Sequence, residues 1–315
     1  MRRALIIGID DYTGAPLNGC VNDASAMTGV LETHGNGSPN FDVIRMTSPS
    51  DNIRRASLRE AIERLFATEC EIALLFFSGH GYVRSADGYI VTPDFEKYDE
   101  GISMAEILGI VNSSPVKNKV ILLDCCYSGN MGTPRAAGDG IAQLSEGLTV
   151  LTASRDSESA VEQNGEGVFT SLVVQALQGG AADLRGHITP GSIYAYVDQA
   201  LGAWDQRPIF KTNVTQFTSL REVTPPVPLE TLRKLVDYFP TPHDEHAVDP
   251  SYEDTESGHD PVKVAIFKDL QKMEGVGLVV PVGEEHMYYA AMNSKACRLT
   301  ALGAQYWRLA NENKL

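Results

Sequence analysis

The chain has 315 residues, 26 Lys and Arg against 41 Asp and Glu, a net charge of −15 and 43% hydrophobic residues. That length holds one large domain and a small one, and the acidic balance excludes a protein whose main partner is DNA, RNA or an anionic membrane surface, since each needs a basic face. No run approaches the ~18 apolar residues of a membrane span, and Met1-Arg2-Arg3 leads straight into Ala4–Ile9 without a small-residue cleavage site, so a cytoplasmic location is expected.

Apolar runs read as buried strands and 3.6-period segments as helices. Ala4–Ile9 is a strand ending in Asp10-Asp11, and a helix follows from about Asn22 to Glu32, with Asn22 at its cap. Phe41–Met46 is a second strand and Ser50–Phe66 a helix. Ile72–Phe77 is apolar at every position, as suits the centre of a parallel sheet covered on both faces, and it ends in Ser78-Gly79-His80-Gly81. After a polar, turn-rich stretch, Met104–Val111 is helical, and Lys119–Leu123 is another buried strand ending in Asp124-Cys125-Cys126-Tyr127-Ser128-Gly129. Leu148–Ala153 is a third such strand, with helices from about Phe169 to Leu177 and from Ser192 to Leu201. The alternation predicts an α/β three-layer fold with a mostly parallel central sheet.

Composition changes near Val223. Residues 223–260 carry nine acids and two bases, with prolines at 225, 226, 228, 240, 242 and 250, and read as an acidic, proline-rich linker. From Pro261 periodicity returns: Val262–Met273 helical, Gly277–Pro281 and Met287–Ala291 strand-like, Leu299–Leu309 helical, a pattern similar to the tail of a winged-helix unit. The expected organisation is a domain over 1–222, a linker over 223–260 and a small winged-helix-like α+β interaction or regulatory domain over 261–315, with net charges of −10, −7 and +2. A net of +2 is thin for nucleic-acid reading. Tyr288, Tyr289, Tyr306 and Trp307 are candidates for a protein-docking surface or for that domain's own core.

In open parallel sheets, reactive groups collect beyond the carboxyl ends of the strands. Two of the most apolar strands here end in His80 and in Cys126. A cysteine nucleophile needs a histidine to favour the thiolate and protonate the leaving amine, and backbone N–H groups to hold the oxyanion. The amides of Gly81 and Cys126 are the candidate oxyanion donors.

With His80 and Cys126 46 positions apart on successive buried strands, Ser78-Gly79-His80-Gly81 and Asp124-Cys125-Cys126 resemble the catalytic motifs of the caspase-like cysteine peptidases (clan CD, family C14), specifically the metacaspase branch and with a prokaryotic cast. The resemblance covers residues 1 to about 220. It implies that Cys126, the third residue of the Asp-x-Cys motif, is the nucleophile, and that cleavage follows Arg or Lys held in an acidic S1 pocket. The positions matching the family's pocket motifs are Cys20 and Asp23 in Gly19-Cys20-Val21-Asn22-Asp23, then Ser78 and Asp124. Two carboxylates in one pocket are costly unless a cation fills it, since like charges at close range must be screened or protonated, and a bidentate guanidinium would offset the repulsion. Tyr127 departs from the histidine usual after the nucleophile, which leaves the dyad intact.

The same resemblance implies calcium ligands after the third buried strand, where only Asp156 and Glu158 are acidic and Arg155 intrudes. Calcium normally takes six or more oxygens, so no required cofactor is expected. Arg135, in the glycine-containing stretch 128–147, is a candidate processing site for cleavage in cis or by an upstream activating protease or sensor. The expected partners are protein substrates with exposed basic residues, with neither membrane nor nucleic acid, and the fused small domain implies a role in a bacterial conflict or antiviral immune pathway. The competing class is a catalytically weak signalling module acting through its C-terminal domain.

The remaining cysteines, Cys70, Cys125 and Cys297, read as small core hydrophobes. Vicinal Cys125-Cys126 lack the two-residue spacer of redox motifs, and no histidine has zinc-ligand spacing with cysteine pairs. His243 and His246 read as solvated linker residues.

Overall fold

Strand alternation builds the larger unit. In the computed structural model, which describes residues 1–84, 87–96, 99–125, 144–153, 162–163, 166–201, 207–216 and 218–315, the chain divides into two units, Met1–Asp183 with His187–Val223, and Leu184–Gly186 with Thr224–Leu315. The first unit runs β1 (Arg2–Gly8), α1 (Cys20–Leu31), β2 (Asp42–Thr47), α2 (Arg55–Phe66), β3 (Ile72–Ser78), β4 (Gly81–Arg84), β5 (Asp87–Glu96), β6 (Asp99–Ser103), α3 (Met104–Asn112), β7 (Asn118–Asp124), β8 (Leu148–Thr152), the short β9 (Glu162–Gln163) and β10 (Glu166–Gly167), α4 (Val168–Gln175), β11 (His187–Ile188), α5 (Pro190–Ala200), β12 (Ile209–Asn213) and β13 (Arg221–Glu222). The main sheet has the order β12-β8-β7-β3-β1-β2. Its neighbours from β8 to β2 are parallel and β12 is antiparallel to β8.

Because successive side chains point to opposite faces, each central strand feeds two cores. Leu5, Ile7, Leu75, Phe77, Ile121 and Leu123 pack against Leu58, Ile62, Leu65 and Phe66 of α2 and Met104, Ile107 and Val111 of α3. Ala4, Ile6, Leu74, Phe76, Val120 and Leu122 pack against Ala24, Met27 and Leu31 of α1, Phe169 and Val173 of α4, and Ile193 and Val197 of α5. The helices sit where their i, i+3, i+4 apolar stripes meet these faces. The polar stretch after His80 forms β4-β5-β6, a three-stranded antiparallel sheet that the sequence reading treats as turns.

The segment expected to be a linker is instead part of the second unit. It contributes α6 (Leu229–Arg233), α7 (Leu235–Tyr238), β14 (Glu245–Ala247) and a 3₁₀ turn, Pro250–Tyr252; α8 (Pro261–Gly275), β15 (Val279–Val282), α9 (Met287–Met292), β16 (Ala296–Leu299) and α10 (Ala301–Asn311) follow. Val227, Leu232, Leu235, Phe239, Val248 and Tyr252 share one core with Phe267, Leu270, Met273 and Cys297. Three prolines start elements rather than break them: Pro250 and Pro261 occupy first-turn positions, where the missing N–H costs nothing, and Pro228 is the N-cap of α6.

Met287–Ala291, read as a strand, is helical, with Met287, Ala290 and Ala291 buried at i, i+3 and i+4. The small sheet is antiparallel, ordered β14-β16-β15. His246 is not a solvated linker residue, since its ring nitrogens bond Tyr238 O at 2.9 Å and Tyr252 Oη at 3.2 Å. Trp307 donates its indole N–H to Phe239 O at 2.7 Å and, with Tyr306, packs on the core, whereas Tyr288 and Tyr289 are exposed. Among the described residues no helix is long and apolar enough to cross a membrane.

Candidate active site

The register of the central strands sets the site. Gly8 of β1 pairs with Ser78 of β3, and Ser78 pairs with Asp124 of β7, so three neighbouring strands end level with one another. α1 begins directly above them. Its first amides, those of Cys20 and Val21, donate to the Asp10 carboxylate at 2.8 and 3.2 Å, which satisfies donors that a helix start leaves open. Asn22 is therefore not the cap: the cap position is Gly19, and the capping carboxylate comes from the loop after β1. Gly8 makes the approach feasible, because a β-carbon there would collide with the Cys20 carbonyl.

Cys20, Asp23, Ser78 and Asp124, the four expected pocket residues, do come together, and all are buried. Ser78 Oγ donates to Asp23 Oδ2 at 2.7 Å. The Gly167 amide donates to Asp23 Oδ1 at 3.1 Å. Asp124 Oδ2 accepts from the Thr170 amide at 3.2 Å and the Thr170 hydroxyl at 2.6 Å. Burial pushes the Cys20 thiol well above its ordinary range, against a Ser78 hydrogen bond that lowers it, so Cys20 is a neutral wall of the cluster. Sequence reasoning missed Gly167 and Thr170. The available signal was Gly167-Val-Phe-Thr170 opening a helix, since helix-start amides suit nearby carboxylates.

His80 follows β3 by two residues and is half-buried. Its Nε2 lies 2.7 Å from Ala15 O. A carbonyl only accepts, so Nε2 carries the proton, and in the neutral ring Nδ1 is left as the acceptor. Tyr12 stacks on the imidazole at a tilted 57°, centroids 4.6 Å apart, while its hydroxyl accepts from the His80 amide at 3.1 Å and donates to Val91 O at 3.2 Å. The Gly79 amide donates to Asp124 O at 3.3 Å, tying the histidine turn to β7. Gly81 opens β4 and is half-buried.

Cys125, directly after β7, is fully buried in the core, as expected for a small hydrophobe, with Cys70 buried in the same core and Cys297 in that of the second unit. Burial raises the Cys297 thiol to about 12. Cys126, Arg135, Asp156 and Glu158 lie outside the described residues. Among the described residues no group of three or more His, Cys, Asp or Glu could hold a metal ion.

The caspase-domain family model, peptidase C14, matches residues 1–221. The chain belongs to this family. It is a caspase-like member of the cysteine peptidases, with the family's α/β fold. Its fold is similar to the crystal structure of protein GSU0716 from Geobacter sulfurreducens, at 15% identity and a TM-score of 0.52, covering 71% of this chain and 100% of that one. Caspase-1 from Spodoptera frugiperda is also similar, at 13% identity and a TM-score of 0.46, covering 71% and 91%. No curated protein matches the chain.

Proposed function

We propose that this caspase-family protein is a metacaspase-type cysteine endopeptidase that cleaves proteins after Arg or Lys. The observation carrying this reading is the buried cluster at the strand ends, where Asp23 and Asp124 are held by Ser78, Gly167 and Thr170. Neutral donors such as these orient a carboxylate without cancelling its charge, and two carboxylates side by side favour a cation. That suits guanidinium or ammonium and rejects aspartate.

In the proposed reaction Cys126 Sγ attacks the scissile carbonyl carbon. Nδ1 of His80 takes the thiol proton and returns it to the leaving amine, while the Ala15 carbonyl, bound to Nε2, holds the ring in the tautomer this requires. The amides of Gly81 and Cys126 receive the oxyanion, and water then releases the acyl group from sulfur. The buried position of Cys125 supports assigning the nucleophile to the next residue, Cys126.

No obligatory metal enters the reaction. Cleavage at Arg135, activation by an upstream protease or partner, and a place in a bacterial conflict pathway belong to the same proposal and rest on the resemblance. The direct test compares variants on a fluorogenic Arg peptide: Cys126→Ala abolishes turnover and Cys125→Ala keeps most of it. The opposite pattern would place the nucleophile one residue earlier.

A further inference from the structure

The proposed pocket has a wall that the four motif residues do not supply. It is the chain from Gly167 through the first turn of α4. Gly167 is buried, and a β-carbon built on it would lie 2.9 Å from Asp23 Oδ2 and closer still to Asp124 Oδ2. Real β-carbons do not approach oxygen so closely, so a side chain at 167 would drive α4 off the carboxylates or the carboxylates apart. The absence of a side chain therefore lets one segment reach both acids. Thr170 is 1% exposed and gives Asp124 two donors, one from the main chain and one from the hydroxyl. Asp23 receives the Gly167 amide on one oxygen and Ser78 on the other.

Each carboxylate is thus oriented by at least one donor from this wall, and those donors are amides and a hydroxyl. Two anions forced together tend to protonate or to turn apart. Donors to the charged form oppose protonation, and rigid partners oppose rotation. Of these donors, Ser78 comes from the strand motif, whereas Thr170 lies 46 residues after Asp124 and Gly167 lies 144 after Asp23.

We propose that Gly167 and Thr170 are specificity-determining residues that position Asp23 and Asp124 for a cationic side chain, so that the start of α4 sets the preference for Arg and Lys. This rests on reading the acidic cluster as the S1 site. The loss of Thr170's hydroxyl removes the shorter of the two donors that Thr170 gives Asp124 Oδ2, which loosens the carboxylate and weakens binding of the cation without touching the nucleophile. A methyl at 167 disturbs both acids at once.

The test is steady-state kinetics on matched fluorogenic peptides ending in Arg, in Lys and in citrulline, the neutral counterpart of Arg, with iodoacetamide alkylation of Cys126 as a separate readout of the nucleophile. Thr170→Val should raise KM for the Arg peptide about ten-fold, the worth of a hydrogen bond to a charged group, with kcat and the alkylation rate within two-fold of wild type. Thr170→Ser, which keeps the hydroxyl, should restore KM. Gly167→Ala should lower kcat/KM for Arg and Lys by about 100-fold and narrow the preference for Arg over citrulline, again with alkylation retained. It reports independently if Thr170→Val does not fold. An unchanged KM in Thr170→Val, or an unchanged Arg-to-citrulline preference in Gly167→Ala, would overturn the role of α4 while leaving the S1 reading standing. A wild-type enzyme that hydrolyses neither Arg nor Lys peptides but does alkylate at Cys126 would overturn the S1 reading itself.

Discussion

The two units each bury carboxylate, and they do so in opposite ways. In the larger unit Asp23 and Asp124 are held by hydroxyls and amides. In the smaller one Asp269 sits against the Lys234 ammonium at 2.7 Å, the Lys272 ammonium at 3.5 Å and the Tyr238 hydroxyl at 2.9 Å. A carboxylate paired with lysine is neutralised where it stands and ties elements of a core together. Hydroxyl and amide donors orient a carboxylate without cancelling its charge. The contrast distinguishes two kinds of buried acid by the donors seen around them, where burial alone does not.

The sharpest way to break that comparison is to neutralise one acid of each kind. Asp124→Asn should lower kcat/KM on an Arg peptide by at least about 100-fold, the cost of removing one partner from a buried charge pair, while leaving the thermal midpoint of the second unit in place. Asp269→Asn should do the reverse, with Arg-peptide kinetics unchanged and calorimetry showing a stability loss of about 1–2 kcal/mol, reduced from the buried-pair value because both lysines are largely solvated. Similar kinetic losses in both variants would erase the distinction.

Packing offers the next largest effect. Phe239→Ala should destabilise the second unit by about 3–5 kcal/mol, as expected for emptying a fully buried aromatic site, whereas a linker residue would change nothing. Acid titration gives a smaller one. Burial pushes the Asp269 carboxyl up, but the Lys234 and Tyr238 hydrogen bonds outweigh it, so its folded pKa lies below the unfolded value of about 3.9. Its contribution is full above that unfolded pKa and is lost as pH falls through the depressed folded one. Asp269→Asn should flatten that part of the stability profile measured by denaturant melts. Smallest of all, adding calcium or a chelator should change the Arg-peptide rate by less than two-fold, since Asp156 and Glu158 are too few oxygens for a calcium shell.

The central sheet was readable because fully apolar strands such as Ile72–Phe77 have one natural home, between two helical layers. His80 and the Cys126 motif were readable because they end those strands, whereas Cys20, Asp23, Ser78 and Asp124 were picked out by their likeness to the family's motifs. Other features were hidden by competing cues. Tyr288-Tyr289 suggested a strand by β propensity, yet Met287, Ala290 and Ala291 already carried the helical spacing that packing selects. Prolines in 223–260 suggested breaks, although Pro228 and Pro250 sit just before or inside first turns, where proline marks helix starts. Asp10 reads as a loop acid until the fold brings α1 over it, and Gly167 and Thr170 join the acidic cluster only through the return of the chain after β8. Such long-range placement leaves no local pattern in sequence.

The most direct test is the hydrolysis of two fluorogenic peptides that differ only in Arg or Asp before the scissile bond, by the wild-type protein and Cys126→Ala. Hydrolysis of the Arg peptide alone, abolished in Cys126→Ala, is the expected result. Cleavage of the Asp peptide, or Arg-peptide hydrolysis that survives Cys126→Ala, would contradict an acidic-pocket cysteine peptidase.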